Sequence, residues 1–151
     1  MQALFSPFAG WLSDRVEPRV VASAGMAITA FGLLIFSTID ENTKLSLIIS
    51  NLMLMGFGFA LFSSPNTNAI MSSVERKFYG LASATLSTMR VVGQMLSMAI
   101  VMLIFAIYIG RALITPKIYP LLLESTRTSF AVFFVLCFFG IFASLARGRV
   151  R

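Results

Sequence analysis

The sequence predicts an all-α membrane protein, a polytopic bundle of four full transmembrane helices plus the end of a fifth. Three observations carry this. Four apolar runs are each long enough to cross a bilayer, they hold almost no charge, and the charges cluster in the breaks between them. Of 151 residues, 58% are hydrophobic and only 12% charged. A soluble domain carries about a quarter charged residues to solvate its surface. Fifteen Phe and nine Met suit lipid contact and helix packing better than an aqueous core.

The elements follow in order. Met1 leads into an apolar stretch ending at Trp11-Leu12 with no basic region before it, so it does not read as a secretory signal. Twelve residues rise only ~18 Å as a helix, short of a ~30 Å hydrocarbon core, so this reads as the end of a helix whose first half is missing. Full helices are expected at about 20–39, 45–71, 79–110 and 129–146, because a helix satisfies its own backbone in lipid. The breaks are Asp40–Lys44, Val74–Lys77 and Arg111–Thr128. The last of these, with Pro116 and Pro120, reads as an outer loop with a short interfacial piece. Arg111 and Arg127 read as helix-end anchors.

Net charge is +6, from 12 basic and 6 acidic residues. In this setting the excess sets orientation and does not point to nucleic acid. Arg15, Arg19, Arg76, Lys77, Arg147, Arg149 and Arg151 lie on one side, against Lys44, Arg111, Lys117 and Arg127 on the other. The richer side is expected to face the cytoplasm of a cell (plasma) membrane, with the C-terminus inside. There is no His, and the single cysteine, Cys137, lies inside an apolar run. No metal cluster, disulfide framework, phosphate loop or nucleophile constellation is legible, so no cofactor, metal or enzymatic activity is expected.

The sharpest motif is Gly10-x-x-x-Asp14-Arg15-x-x-x-Arg19, after Pro7, in a short loop between two apolar segments. Gly10 allows close approach of helix ends, while Asp14 can pair with Arg15 or Arg19 or cap a helix start. Such a turn can lock two helices in one state and release them in another; the plain alternative is an ordinary positive loop. In the second run, Pro65 is expected to bend or interrupt the helix and free carbonyls for a cavity, with Asn66 and Asn68 beside them. Gly56 and Gly58 are expected to mark close helix packing.

Arg90 is the sharpest single residue. Ser83, Ser87, Arg90, Gln94 and Ser97 are spaced by 4, 3, 4 and 3 and so share one helix face. A charge within a membrane helix is costly and normally faces a bundle interior or a wet cavity, so this stripe reads as cavity lining. The competing reading has Arg90 snorkelling to the interface. Asp14, Glu17, Asp40, Glu41, Glu75 and Glu124 all flank the runs, so any carboxylate that couples transport to protons must lie on other helices. The last run is rich in Phe and expected to face lipid, with Gly140, Ala143 and Ser144 as a small packing face.

The sequence resembles the major facilitator superfamily of secondary transporters. The resemblance rests on Gly10, Asp14, Arg15 and Arg19, on Gly56-Phe57-Gly58 … Ser64-Pro65-Asn66-Thr67-Asn68-Ala69-Ile70-Met71, and on Gly80-Leu81-Ala82-Ser83-Ala84 … Arg90-Val91-Val92-Gly93-Gln94. These look most like the C-terminal portion of the fourteen-helix drug:proton antiporter (multidrug efflux) branch. The resemblance implies a partial transporter fold, alternating access about a midplane site, and small-molecule efflux as part of a larger transporter. Arg90 and Gln94, with Ser87, Ser97, Asn66 and Asn68, would line the substrate cavity, and the Gly10–Arg19 loop would gate the cytoplasmic side. The expected partners are the lipid bilayer, an N-terminal transporter part and a small-molecule substrate once the missing helices complete the cavity. The chain alone is expected not to transport. The alternative is a small structural or regulatory membrane protein packed against a larger partner.

Overall fold

A computed structural model describes residues 18–110 and 118–146. The Gly10–Arg19 motif, the end of the fifth helix and the C-terminal arginines lie outside the described residues, save the backbone of Arg19. The described residues form four long helices and no strand. They are α1 (Pro18–Ser37), α2 (Leu45–Ser72), α3 (Tyr79–Tyr108) and α4 (Tyr119–Ala146), with a 3-10 turn Arg76–Phe78 leading into α3. All four are long and apolar enough to cross a membrane. The molecule is an all-α membrane helix bundle.

The helix ends follow local chemistry. Pro18 occupies the first helical position of α1, where a missing N–H costs nothing. α3 stops because Gly110 adopts φ 64°, the left-handed geometry that lets its N–H bond the carbonyl of Ala106 at 3.1 Å.

α1 is the centre of the bundle. It packs most extensively on α2, then on α4; α3 rests on α4 and touches α2 only sparsely. One face of α1 meets α2 around Gly25 and Gly58, with Val21 and Leu61 buried and Ile28 and Phe57 packed against them. Asn51, buried on α2, donates from Nδ2 to the Gly32 carbonyl at 2.9 Å. The other face of α1 meets α4. There Ser23 and Ser144 share a 3.0 Å hydrogen bond, Phe36 and Phe130 rings lie 5.0 Å apart, and the Cys137 thiol donates to the Met26 carbonyl. Ile104 is the one buried residue of α3, which exposes Leu81, Met95, Leu96, Leu103 and Ile107 along its length. In lipid such a surface is the solvated one.

Four expectations need correction. The last helix begins at Tyr119, ten residues before Ser129, so the segment from Tyr119 to Thr128 is helical and not a loop. Pro120 falls in its first turn, where proline is tolerated, and ~39 Å of helix over 26 residues exceeds the hydrocarbon core, so the first turns reach the headgroup level. Glu124 therefore lies within α4, exposed near its start. Arg127 is not a free anchor: it pairs with the Asp40 carboxylate and donates from Nε to the Ile39 carbonyl, tying α4 to the end of α1. Nor is α4 purely lipid-facing. Ser125 and Ser129 are buried, while Phe138, Phe139 and Phe142 are exposed; within the expected packing face Ser144 and Gly140 meet α1, but Ala143 is exposed.

Pro65 interrupts nothing. α2 runs unbroken through it, and the proline is among the most buried residues of the protein. Beside it, the Thr67 hydroxyl donates to the Ser63 carbonyl at 2.8 Å within the helix.

Candidate functional site

Because α2 and α3 meet only sparsely, a cleft opens between them on the half of the bundle that carries the Ser73–Phe78 turn. It encloses about 400 Å³ and is lined from α2 by Ala60, Ser63, Ser64, Thr67, Asn68 and Met71, and from α3 by Ser83, Leu86, Ser87 and Arg90. Each wall is one helical face. The α2 residues recur every three or four positions, as do Ser83, Leu86 or Ser87, and Arg90. Seven of the ten lining side chains carry a polar group, in a bundle whose helices are otherwise strongly apolar.

The expected cavity residues divide. Ser87, Arg90 and Asn68 line the cleft together. Gln94 lies farther along α3, exposed and outside the lining. Ser97 also lies beyond it, its hydroxyl donating to the Gln94 carbonyl at 2.8 Å within the same helix. Asn66 is half-buried and is not a lining residue. Ser63, Ser64 and Thr67 belong to the wall and were missed, although the spacing of Ala60, Ser64, Thr67 and Met71 repeats the stripe read on α3.

Arg90 dominates the electrostatics. It stands eleven residues from Tyr79, ~17 Å along α3, and about five turns from the Tyr108 end. With the ~45 Å helix centred on a ~30 Å core, that puts Arg90 about 10 Å inside the hydrocarbon, deeper than one helical turn. A charge at that depth is stable only beside water, a counter-charge or protein dipoles. Among the described residues Arg90 has no ion-pair partner, and no acid lines the cleft. Glu75, in the turn at this end, is paired with Lys77 at 2.7 Å. No group of His, Cys, Asp and Glu able to hold a metal occurs among the described residues.

Comparison with known proteins places the chain. The family model of the Major Facilitator Superfamily matches residues 1–150. The chain is 36% identical over 100 residues to the uncharacterized transporter YebQ of Escherichia coli strain K12, covering 66% of this chain and 22% of that protein. It is 31% identical over 111 residues to the multidrug resistance protein Stp of Mycobacterium tuberculosis, covering 74% of this chain and 20% of Stp. With the riboflavin transporter RibZ of Clostridioides difficile it shares 29% identity over 90 residues, 60% of this chain and 20% of that one. The chain thus spans about a fifth of the length of these relatives. No solved structure matches it. On the match across almost its whole length, the chain belongs to the Major Facilitator Superfamily.

Proposed function

We propose that this chain forms one portion, the C-terminal one, of a transporter that moves small molecules across the plasma membrane by alternating access, and that it is inactive alone. The observation that carries the reading is the polar cleft between α2 and α3, with Arg90 at its wall, in an otherwise apolar bundle. Alternating access needs a wet, polar path near the bilayer midplane. The likeness to Stp supports efflux of drug-like compounds. In this reading the Gly10–Arg19 loop gates the cytoplasmic side, the C-terminus lies in the cytoplasm, and the coupling carboxylates stand on helices outside this chain.

The apolar surface of α3 supports packing against further helices, and equally fits the second reading, a small membrane protein that packs on and regulates a larger partner. Co-expression separates them. The chain is produced with the remaining helices of a transporter from the same genome, and efflux is followed with anionic, neutral and cationic fluorescent dyes. Transport by the pair, absent from either part, and lost on Arg90→Ala at unchanged protein level, supports the transporter. Unchanged efflux with and without the chain refutes it.

A further inference from the structure

We infer that the α2–α3 cleft is an anion-binding subsite, and that the ligand presents a carboxylate or another monoanionic oxyacid group to Arg90. This rests on reading the cleft as part of the transport path, and it names the class of molecule that path accepts.

The argument is one of donors and charges. Arg90 offers a fork of N–H donors and a charge that never leaves it. Around it stand the hydroxyls of Ser64, Ser83 and Ser87 and the amide of Asn68. The Thr67 hydroxyl hydrogen is spent on the Ser63 carbonyl, leaving its oxygen only to accept. Among the described residues, the cleft therefore combines one cation without an ion-pair partner, several neutral donors and no carboxylate. A cationic guest would meet repulsion that no described lining residue offsets. A neutral one would leave the guanidinium without a counter-charge. An anion supplies that counter-charge inside a medium where charge-assisted, bidentate hydrogen bonds are strongest. Ala60, Leu86 and Met71 add apolar wall for the body of such a guest. The anionic group has two possible sources, a soluble substrate or a lipid headgroup reaching the cleft along the exposed flank of α3.

The test is binding to the full 151-residue chain in lipid nanodiscs, by scintillation proximity with radiolabelled 2-naphthoate, 2-naphthamide and 2-naphthylmethylammonium. Naphthoate is expected to bind about tenfold tighter than the amide or the ammonium. Arg90→Gln should abolish that preference, and Arg90→Lys, which keeps the charge but not the fork, should retain part of it. Adding phosphatidylglycerol to phosphatidylcholine discs then identifies the source. Competition with naphthoate points to a lipid headgroup, and no competition to a soluble anion; both require the site.

Absence of saturable naphthoate binding, or equal affinity for all three probes, overturns the inference, as does full preference in a correctly folded Arg90→Gln chain. Failure of the transport reading is distinguishable. In a Cys137→Ser background, Ser87→Cys is treated with a membrane-impermeant thiol reagent. Labelling with no anion preference sinks the subsite and leaves a wet path standing; no labelling at all removes the path and the subsite together.

Discussion

Gly25 and Gly58 face each other across α1 and α2 with backbone against backbone. A Cβ added at Gly25 would stand 2.6 Å from the Gly58 carbonyl oxygen, and one added at Gly58 would stand 2.9 Å from the Gly25 oxygen. Neither carbonyl can move without moving its helix. Helix pairs in lipid associate through such close approach, because no hydrophobic force separates lipid from leucine.

The first prediction concerns that contact. Gly25→Ala or Gly58→Ala should destabilise the bundle by about 1–3 kcal/mol through overpacking. Gly140→Ala should cost less, since its nearest neighbour is the flexible end of Met26. Gly93→Ala, with nothing within 4 Å of the new methyl, should be neutral or mildly stabilising through helix propensity. Thermal unfolding in detergent, followed by size-exclusion chromatography, ranks the four; a Gly93→Ala loss equal to that of Gly25→Ala would contradict the packing.

Asn51 supplies a second prediction. Its Nδ2 bonds the Gly32 carbonyl, while its Oδ1 is buried without a partner. Asn51→Leu should therefore lose one interhelical bond, worth roughly 0.6 and at most about 1.7 kcal/mol, while relieving an unsatisfied oxygen. Asn51→Asp should be worse, because its carboxylate must be buried against a carbonyl oxygen. The same unfolding assay should order them native, Leu, Asp; Asp as stable as native would show the site to be wet.

Arg127 and Asp40 make the third. The aspartate side chain is 72% exposed, so the ion pair itself should contribute only about 0.2–1 kcal/mol and weaken in high salt. Arg127→Ala should cost more than Asp40→Ala, because it also removes the bond to the Ile39 carbonyl. A double-mutant cycle at low and high NaCl checks this. Coupling that ignores salt would contradict an exposed pair.

Orientation is the fourth. A C-terminal green fluorescent protein fusion should fluoresce and an alkaline phosphatase fusion at the same point should be inactive, while phosphatase inserted after Asn42 should be active. The reverse pattern would invert the bundle and place the cleft on the other side of the membrane.

Much of the fold was legible because its signal is local. A run of apolar residues between charged breaks needs no knowledge of neighbours, and α1, α2 and α3 fall within two residues of the expected ends. α4 was misjudged at its start because Pro120, Glu124, Thr126 and Arg127 look like loop chemistry, and only the docking of Arg127 on Asp40 and Ile39 shows why they are helical. On α3 the period of the polar stripe groups Ser87 and Arg90, which line the cleft, with Gln94 and Ser97, which lie beyond it, because a period alone does not say where the facing helix ends its contact. Pro65 misled because a proline's effect depends on what surrounds it, and here α2 continues unbroken past a closely buried ring.

The central place of α1 bears on how the chain assembles during synthesis. α1 and α2 are neighbours in sequence and can pair as a hairpin as soon as both have entered the bilayer. α3 emerges next but finds little to hold, and it must wait for α4, which also covers the second face of α1. The four described helices thus close only when α4 returns to α1. A chain stopped after Gly110 should keep a stable hairpin and trail an unanchored third helix, a ready substrate for membrane proteases.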